Sequence, residues 1–434
     1  MKYIIVGAGI AGLTAAYGLL EKGHQVLVLE KESAIGGLAK SFQYHNFTFD
    51  IGPHRFFTDK DEIYRFIKSV LKQDYAVIVQ KSSFHLLNRY FPWPLGPSTL
   101  VKLPPHLLFR IISDLFLKPK SESQNFVNST ISRYGRTLFE LVFRDYTEKF
   151  CRISCKDLHA NWIKVSLDKA IINKKIGLDS LLDLFSMGYA SLRFKTKFLY
   201  PKGGCGRFAQ TLAAMISDKG GRIIKDVKDI SISCNDRQIT SLSYVNSDKE
   251  SAEFDRLVYT APINQLARQL KLGAPNLEYL NSVIYNIEIN KRLKISDQWI
   301  YFGDRDLSFV RVSFPRNFDK NNVPFGKDSL CVEVTCKNDS WLWSKPDSIR
   351  ERVISDLGRV KLCRPRDIAR IHIEKIADTY PIYKIDYLKE LSDLRKKLSG
   401  FRNLTCLGRS GTFWYNNMDE SIETALKFAD DLGC

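Results

Sequence analysis

The sequence has no CxxC pair and no CxxC…HxxxH spacing; its nine cysteines are scattered, the closest being Cys151 with Cys155 and Cys331 with Cys336. That excludes the common zinc modules and a disulfide framework, so the expectation is free thiols in a reducing compartment and no metal. No apolar window reaches the roughly 18 to 20 residues of a membrane-spanning helix. Low-complexity tracts and internal repeats are missing too, which excludes disordered and solenoid architectures. The lysines and arginines are spread along the chain without a block of five or more. A secretory leader is not expected, because the first apolar run, residues 3–20, is interrupted by Gly7, Gly9 and Gly12 and has the pattern of a strand, a turn and a helix. A cytoplasmic protein follows from these absences.

What is present is an ordinary globular composition, 44% hydrophobic and 26% charged, over 434 residues. That length suggests two or three domains rather than one core. The net charge of +17 favours an anionic partner, whether nucleotide sugar, nucleic acid or acidic lipid surface, although its even spread also suits a solvated basic surface. Residues 107–117 form an apolar stretch containing Arg110 and Asp114 and followed by Lys118 and Lys120. They are expected to be a core-facing helix, with an amphipathic helix at a membrane interface as the alternative.

The N-terminus carries the most specific pattern. A short apolar strand, residues 2–6, runs into Gly7-Ala8-Gly9-Ile10-Ala11-Gly12 and then into residues of helical composition, the context that a dinucleotide fingerprint requires. Gly7 would make the tight turn, Gly9 would admit a pyrophosphate to the backbone, and Gly12 would let helix pack on strand. The helix N-terminus would offer N–H groups to the phosphates. A second strand, residues 25–29, ends in Glu30, placed for the ribose hydroxyls, with Lys31 beside it. NAD and FAD share this fingerprint. A second glycine pair follows in Gly36-Gly37-Leu38-Ala39-Lys40-Ser41.

Together these motifs resemble the flavoprotein superfamily of amine oxidases, protoporphyrinogen oxidases, phytoene desaturases and UDP-galactopyranose mutases. The resemblance implies FAD, with Gly36 and Gly37 close to its pyrophosphate and flavin. It also implies cofactor contacts from the backbone of Val227, from Arg409 in Leu407-Gly408-Arg409, and from Met418 just before a helix expected from about Asp419. The expected fold class is α/β. A Rossmann-like FAD-binding domain is built discontinuously from 1–60, 196–262 and 395–434; a helical lobe spans 61–195 and a mixed β-sheet substrate domain spans 263–394. Helices are expected at 62–71, 103–117, 127–143 and 178–192, and strands at 298–302, 308–314 and 330–335.

Within that superfamily, Phe49-Asp50-Ile51-Gly52-Pro53-His54-Arg55-Phe56-Phe57-Thr58 resembles the UDP-galactopyranose mutase branch, where the glycine and histidine lie over the flavin. Tyr146-Thr147-Glu148-Lys149, Tyr200-Pro201-Lys202-Gly203-Gly204 and Tyr380-Pro381-Ile382-Tyr383 extend the likeness over nearly the whole chain. The resemblance implies His54 and Arg311 as catalytic candidates and Tyr383, Tyr415, Arg193 and Lys164 as substrate contacts. In that branch reduced flavin is the nucleophile towards UDP-galactose, so an anionic small molecule, a nucleotide sugar above all, is the expected partner, nucleic acid is not, and peripheral membrane association stays open. Two departures stand out. Phe150, Cys151 and Arg152 occupy the place of an expected stacking tryptophan, and Ser166 stands where an arginine is expected, with Lys164 or Arg193 as substitutes. Alternatives remain for single residues: His54 as a core histidine, Tyr380 and Tyr383 as a core wall, Trp341 and Trp343 as sheet packing, and Arg311 paired with Glu333. For the whole chain the alternatives are an FAD-dependent oxidoreductase of amine oxidase or desaturase type and a flavin-binding scaffold.

Overall fold

The computed structural model describes residues 1–94, 99, 102–117, 123–167 and 196–431. The helix expected at 178–192 and the candidate Arg193 lie outside the described residues.

A five-stranded parallel sheet forms the nucleotide-binding half. Its order is Leu404–Cys406, Arg256–Tyr259, Lys2–Val6, Gln25–Leu29 and Arg222–Ile224. Three separated stretches of chain thus assemble one sheet. Its strands are rich in Val, Ile and Leu, as expected where both faces are covered; helices cover one face, and residues of a separate three-stranded sheet, among them Ile232, Ile239 and Leu242, pack with the other. Helix Ile10–Glu21 packs against Met418–Asp431 and Gly206–Asp218.

The second large sheet has seven strands and is mixed. Its two central strands, Tyr279–Ile289 and Asp328–Cys336, are buried along their whole length. Ile368–Pro381 flanks one side; Arg311–Ser313, Trp299–Phe302, Ser82–Leu86 and Arg89–Pro92 follow on the other. The last two come from the stretch expected to be mostly helical, and Tyr75–Val79 pairs with Lys197–Pro201. Alternation in these short segments marks them as strands once a partner edge exists, which the sequence does not display locally.

Three further expectations are corrected. The helix expected over 127–143 is broken: Phe126–Tyr134 stops at Gly135, whose φ of 87° no side-chain-bearing residue adopts easily. The chain restarts at Arg136, where the Asp114 carboxylate accepts the Thr137 amide at 2.5 Å. A distant aspartate caps the restart. Trp341 and Trp343 are not sheet residues; they lie on the one-turn helix Trp341–Ser344, and Trp341 is exposed. The helix Pro105–Leu117 also departs from a core-facing reading, because Phe109, Ile112, Phe116 and Leu117 are exposed while Ile111 is buried. No helix among the described residues is long and apolar enough to cross a membrane. All eight cysteines among the described residues are free thiols.

Candidate active site: a dinucleotide cleft beside an arginine–tyrosine cluster

A cleft of about 380 Å³ opens at the carboxyl ends of the parallel strands, the place where open α/β sheets bind ligands. The two glycine motifs form its floor. Gly7 has φ 104°, and a Cβ there would stand 2.3 Å from Thr260 Oγ1; a Cβ on Gly12 would stand 2.0 Å from the Gly7 carbonyl oxygen. Both positions are closed by protein. Gly9 differs: a Cβ there would meet nothing nearer than Gly37 Cα at 4.0 Å. The Gly36 amide donates to the Ala8 carbonyl at 2.8 Å, so the second glycine pair is laid directly on the first loop. Helix Ile10–Glu21 starts at Gly9 without a side-chain cap, leaving its first N–H groups facing the cleft for an anion.

The rest of the lining comes from far along the chain. Glu30 is buried; its carboxylate accepts the Ala8 amide at 2.7 Å and the Glu32 amide at 3.0 Å. Burial pushes its carboxyl upward, against the two amides. The Val227 amide donates to the Glu30 carbonyl at 2.9 Å, fixing Val227 on the wall, and Lys31 lies beside them. On the far side Arg409 donates to the Asn416 carbonyl at 2.7 Å and the Thr379 carbonyl at 3.1 Å. Met418 opens the C-terminal helix at the cleft, one residue before the expected start. The buried Oδ1 of Asn416, which lines the cleft, has no hydrogen-bond partner. Open backbone at Gly9, uncapped amides, a carboxylate at the end of the second strand and an orphaned acceptor fit a dinucleotide in donor set and shape. All the cofactor candidates line the cleft except Gly12, which acts through packing.

His54 lies at the edge of the cleft, and next to it is a cluster that joins both sheets. Burial, then the Arg409 and Arg311 guanidiniums, push its imidazole down to about 3, so it is neutral at ordinary pH. Arg311 donates through Nε to Glu333 Oε2 at 2.9 Å, with Nη2 at 2.5 Å from the same oxygen. The Tyr380 hydroxyl donates to Glu333 Oε1 at 2.7 Å and accepts Arg311 Nη2 at 3.1 Å. Burial works against the Arg311 charge, and Glu333 more than restores it. The backbone must pass close here: a Cβ on Gly52 would stand 3.1 Å from Arg311 Nη2. The Arg409 guanidinium lies 4.5 Å from the Tyr415 ring centroid, and the Arg55 guanidinium 4.6 Å from the Trp299 ring. Tyr146 and Tyr301 meet edge to face at 6.0 Å. Burial raises the phenols of Tyr146, Tyr380 and Tyr415, which therefore remain neutral donors.

Several expected substrate contacts are placed differently. Tyr383 has no exposed surface, accepts the Tyr415 amide at 2.8 Å and stacks on Tyr387 at 4.5 Å. It is a wall behind Tyr415, because a phenol so enclosed has no free face. Lys164 is exposed, and two residues after buried Trp162 it lies on the opposite side of their helix. Arg311 has the Glu333 partner that its strand pattern left open. Tyr146, Tyr301, Arg55 and Asn416 carry no local signal of a site role. Two of these stand within quoted motifs, but only tertiary pairing shows what they touch.

The fold and the cleft define a dinucleotide-binding protein. Residues 10–368 match the family described as flavin containing amine oxidoreductase, and the chain belongs to that family. It is 26% identical over 381 residues to a 1-hydroxycarotenoid 3,4-desaturase of Flavobacterium sp. (strain P99-3), covering 80% of this chain and 70% of that protein. It is 22% identical over 448 aligned positions to a probable UDP-galactopyranose mutase of Klebsiella pneumoniae, covering 99% and 94%. The crystal structure of reduced UDP-galactopyranose mutase matches with a TM-score of 0.83 at 20% identity, over 99% of this chain and 95% of that one. The cofactor is FAD, and the protein is a flavin-dependent enzyme of the amine oxidase superfamily.

Proposed function

We propose that the protein is a mutase-like flavoenzyme that uses reduced FAD on a nucleotide-activated or otherwise phosphate-bearing sugar. The observation that carries this reading is the cluster beside His54, where Arg311, Arg409 and Arg55 gather with the neutral phenols of Tyr146, Tyr380 and Tyr415. A site for hydrocarbon or simple amine substrates has no use for so many buried donors, whereas a diphosphate does. Reduced flavin supplies a nucleophilic nitrogen when bound. The protein's part is positioning and charge stabilisation. Phenols at Tyr146 and Tyr415 donate to phosphate oxygens, and Arg409, anchored only by carbonyls in its hydrogen bonds, keeps a positive charge to set against a leaving diphosphate. Neutral His54 does not add a third charge beside the two guanidiniums and can accept or donate one hydrogen bond.

A second reading, net oxidation of a substrate by FAD, draws on the desaturase likeness over 80% of the chain. One experiment separates the two. Protein reduced with dithionite under nitrogen is incubated with a panel of nucleotide sugars, with oxidised protein in parallel, and products are resolved by chromatography. Conversion by the reduced form alone supports the proposal. Failure with every nucleotide sugar, together with turnover of an amine or polyene by the oxidised form, overturns it.

A further inference from the structure

Away from the cleft, three side chains converge across two elements. The hairpin formed by Ser41–Tyr44 and Phe47–Asp50 turns through His45 and Asn46, both at positive φ, 46° and 69°. From this turn His45 Nδ1 reaches Glu288 Oε1 at 2.9 Å, and from the edge strand His372 Nε2 reaches the same oxygen at 2.8 Å. The three ligand atoms all lie within 4.8 Å of one another. We propose that His45, Glu288 and His372 form a three-ligand site for a divalent transition metal of the zinc class, with its remaining position open to solvent on the His45 side.

Two imidazoles and one carboxylate are a donor set that suits zinc and its neighbours rather than magnesium or calcium. Tetrahedral bonds of about 2.0–2.2 Å put neighbouring ligand atoms about 3.4 Å apart. An opening of about half an ångström at each contact to Glu288, with the two imidazole nitrogens, within 4.8 Å of each other, settling at the same spacing, turns the hydrogen-bonded triad into a coordination triangle. The ligands are held in advance. Glu288 is buried on a central strand, and His372 is stacked on Tyr44 at 3.9 Å with 4° between planes, which fixes ring orientation as outer-shell contacts do at metal sites. His45 is a non-glycine residue in the left-handed region, a conformation that a plain surface turn would assign to Asn or Gly.

A second observation points the same way. On the same sheet face, Asn286 is paired across strands with His372 and lies two residues before Glu288. It is fully buried, and neither carboxamide atom has a hydrogen-bond partner. Ser329, cross-strand from Glu288, is likewise buried with an unpartnered hydroxyl. Such groups are costly unless something polar is supplied to them. Spacing rules could not find this set, because its members are 243 and 84 residues apart.

The test uses the FAD-loaded protein, stripped with a chelator and titrated calorimetrically with zinc chloride near neutral pH. The expected result is one equivalent bound, with a rise in melting temperature. His45→Gly suits the turn's positive φ and removes one ligand; His372→Phe keeps the stack on Tyr44 and removes another. Each should weaken zinc binding by at least about tenfold, since even outer-shell losses cost that much, while flavin content stays unchanged. Absence of stoichiometric binding to the unaltered protein, or binding retained in either variant, overturns the proposal.

Discussion

The cofactor cleft and the arginine–tyrosine cluster share His54 and Arg409, yet they are built on opposite principles. The cleft is made of missing atoms: glycines that leave backbone open, and a helix start without a cap. The cluster is made of surplus atoms, guanidiniums and phenols buried beyond what packing needs and satisfied by one another. A region built by subtraction tolerates change until something bulky enters it. One built from matched charges fails as soon as a partner is removed.

The largest effect should therefore come from the cluster. Arg311→Ala leaves the buried Glu333 carboxylate without its cation, at a cost of about 3–5 kcal/mol. Denaturant unfolding should show it directly, and the double variant Arg311→Met with Glu333→Gln should recover much of the loss. If the single variant keeps full stability but loses only substrate binding, the pair is not what holds this region.

In the cleft, Gly9→Leu should leave the fold in place, because no atom stands within 3.9 Å of the new Cβ, and should expel FAD by filling the pyrophosphate's path. An affinity loss of about a hundredfold or more, roughly 2.8 kcal/mol, is expected in flavin-binding titrations. Gly12→Ala is its counterpart, since its Cβ would strike the Gly7 carbonyl oxygen at 2.0 Å, and it should damage folding itself. Equal behaviour of the two variants would erase the distinction between an open and a closed glycine.

His54 belongs to both regions and gives the pH dependence. The unfolded imidazole takes up a proton near 6.5, the folded one only near about 3. Its contribution is thus fully present above pH 6.5 and is lost as pH falls through that window, by up to about 2 kcal/mol at pH 5. His54→Asn should flatten this part of the stability profile, measured by melting temperature between pH 7 and pH 5. An unchanged slope would mean that the histidine is protonated in the fold.

The smallest effect concerns specificity. Cys151 is buried where an aromatic platform is expected, so UDP-galactose should bind more weakly than to a mutase with that tryptophan. About 1 kcal/mol, or roughly fivefold, is the expected deficit in competition binding to reduced protein. Tight binding would show that another ring has taken over the stacking.

The same contrast explains what the sequence made legible. Gly7, Gly9, Gly12, Glu30 and the second glycine pair act through local backbone geometry, and a local pattern reveals that. The parallel sheet follows from them. Arg311 appeared as an arginine in an apolar strand, but whether it faced Glu333 or a ligand depended on strand register, Arg311 opposite Glu333, which no single segment encodes. Tyr383 could be matched to a motif but not to a side of the wall. The strands at 82–92 looked like part of a helical stretch because their pairing edge, Trp299–Phe302, is more than 200 residues away.

In the proposed function the cluster presents a phosphate-bearing sugar to reduced flavin without net redox change. Flavin absorbance followed during anaerobic turnover of a nucleotide sugar tests it most directly. The flavin is expected to stay reduced while product accumulates, with no electron acceptor consumed. Stoichiometric bleaching of oxidised flavin by the true substrate, with one equivalent of oxidised product formed, would contradict it.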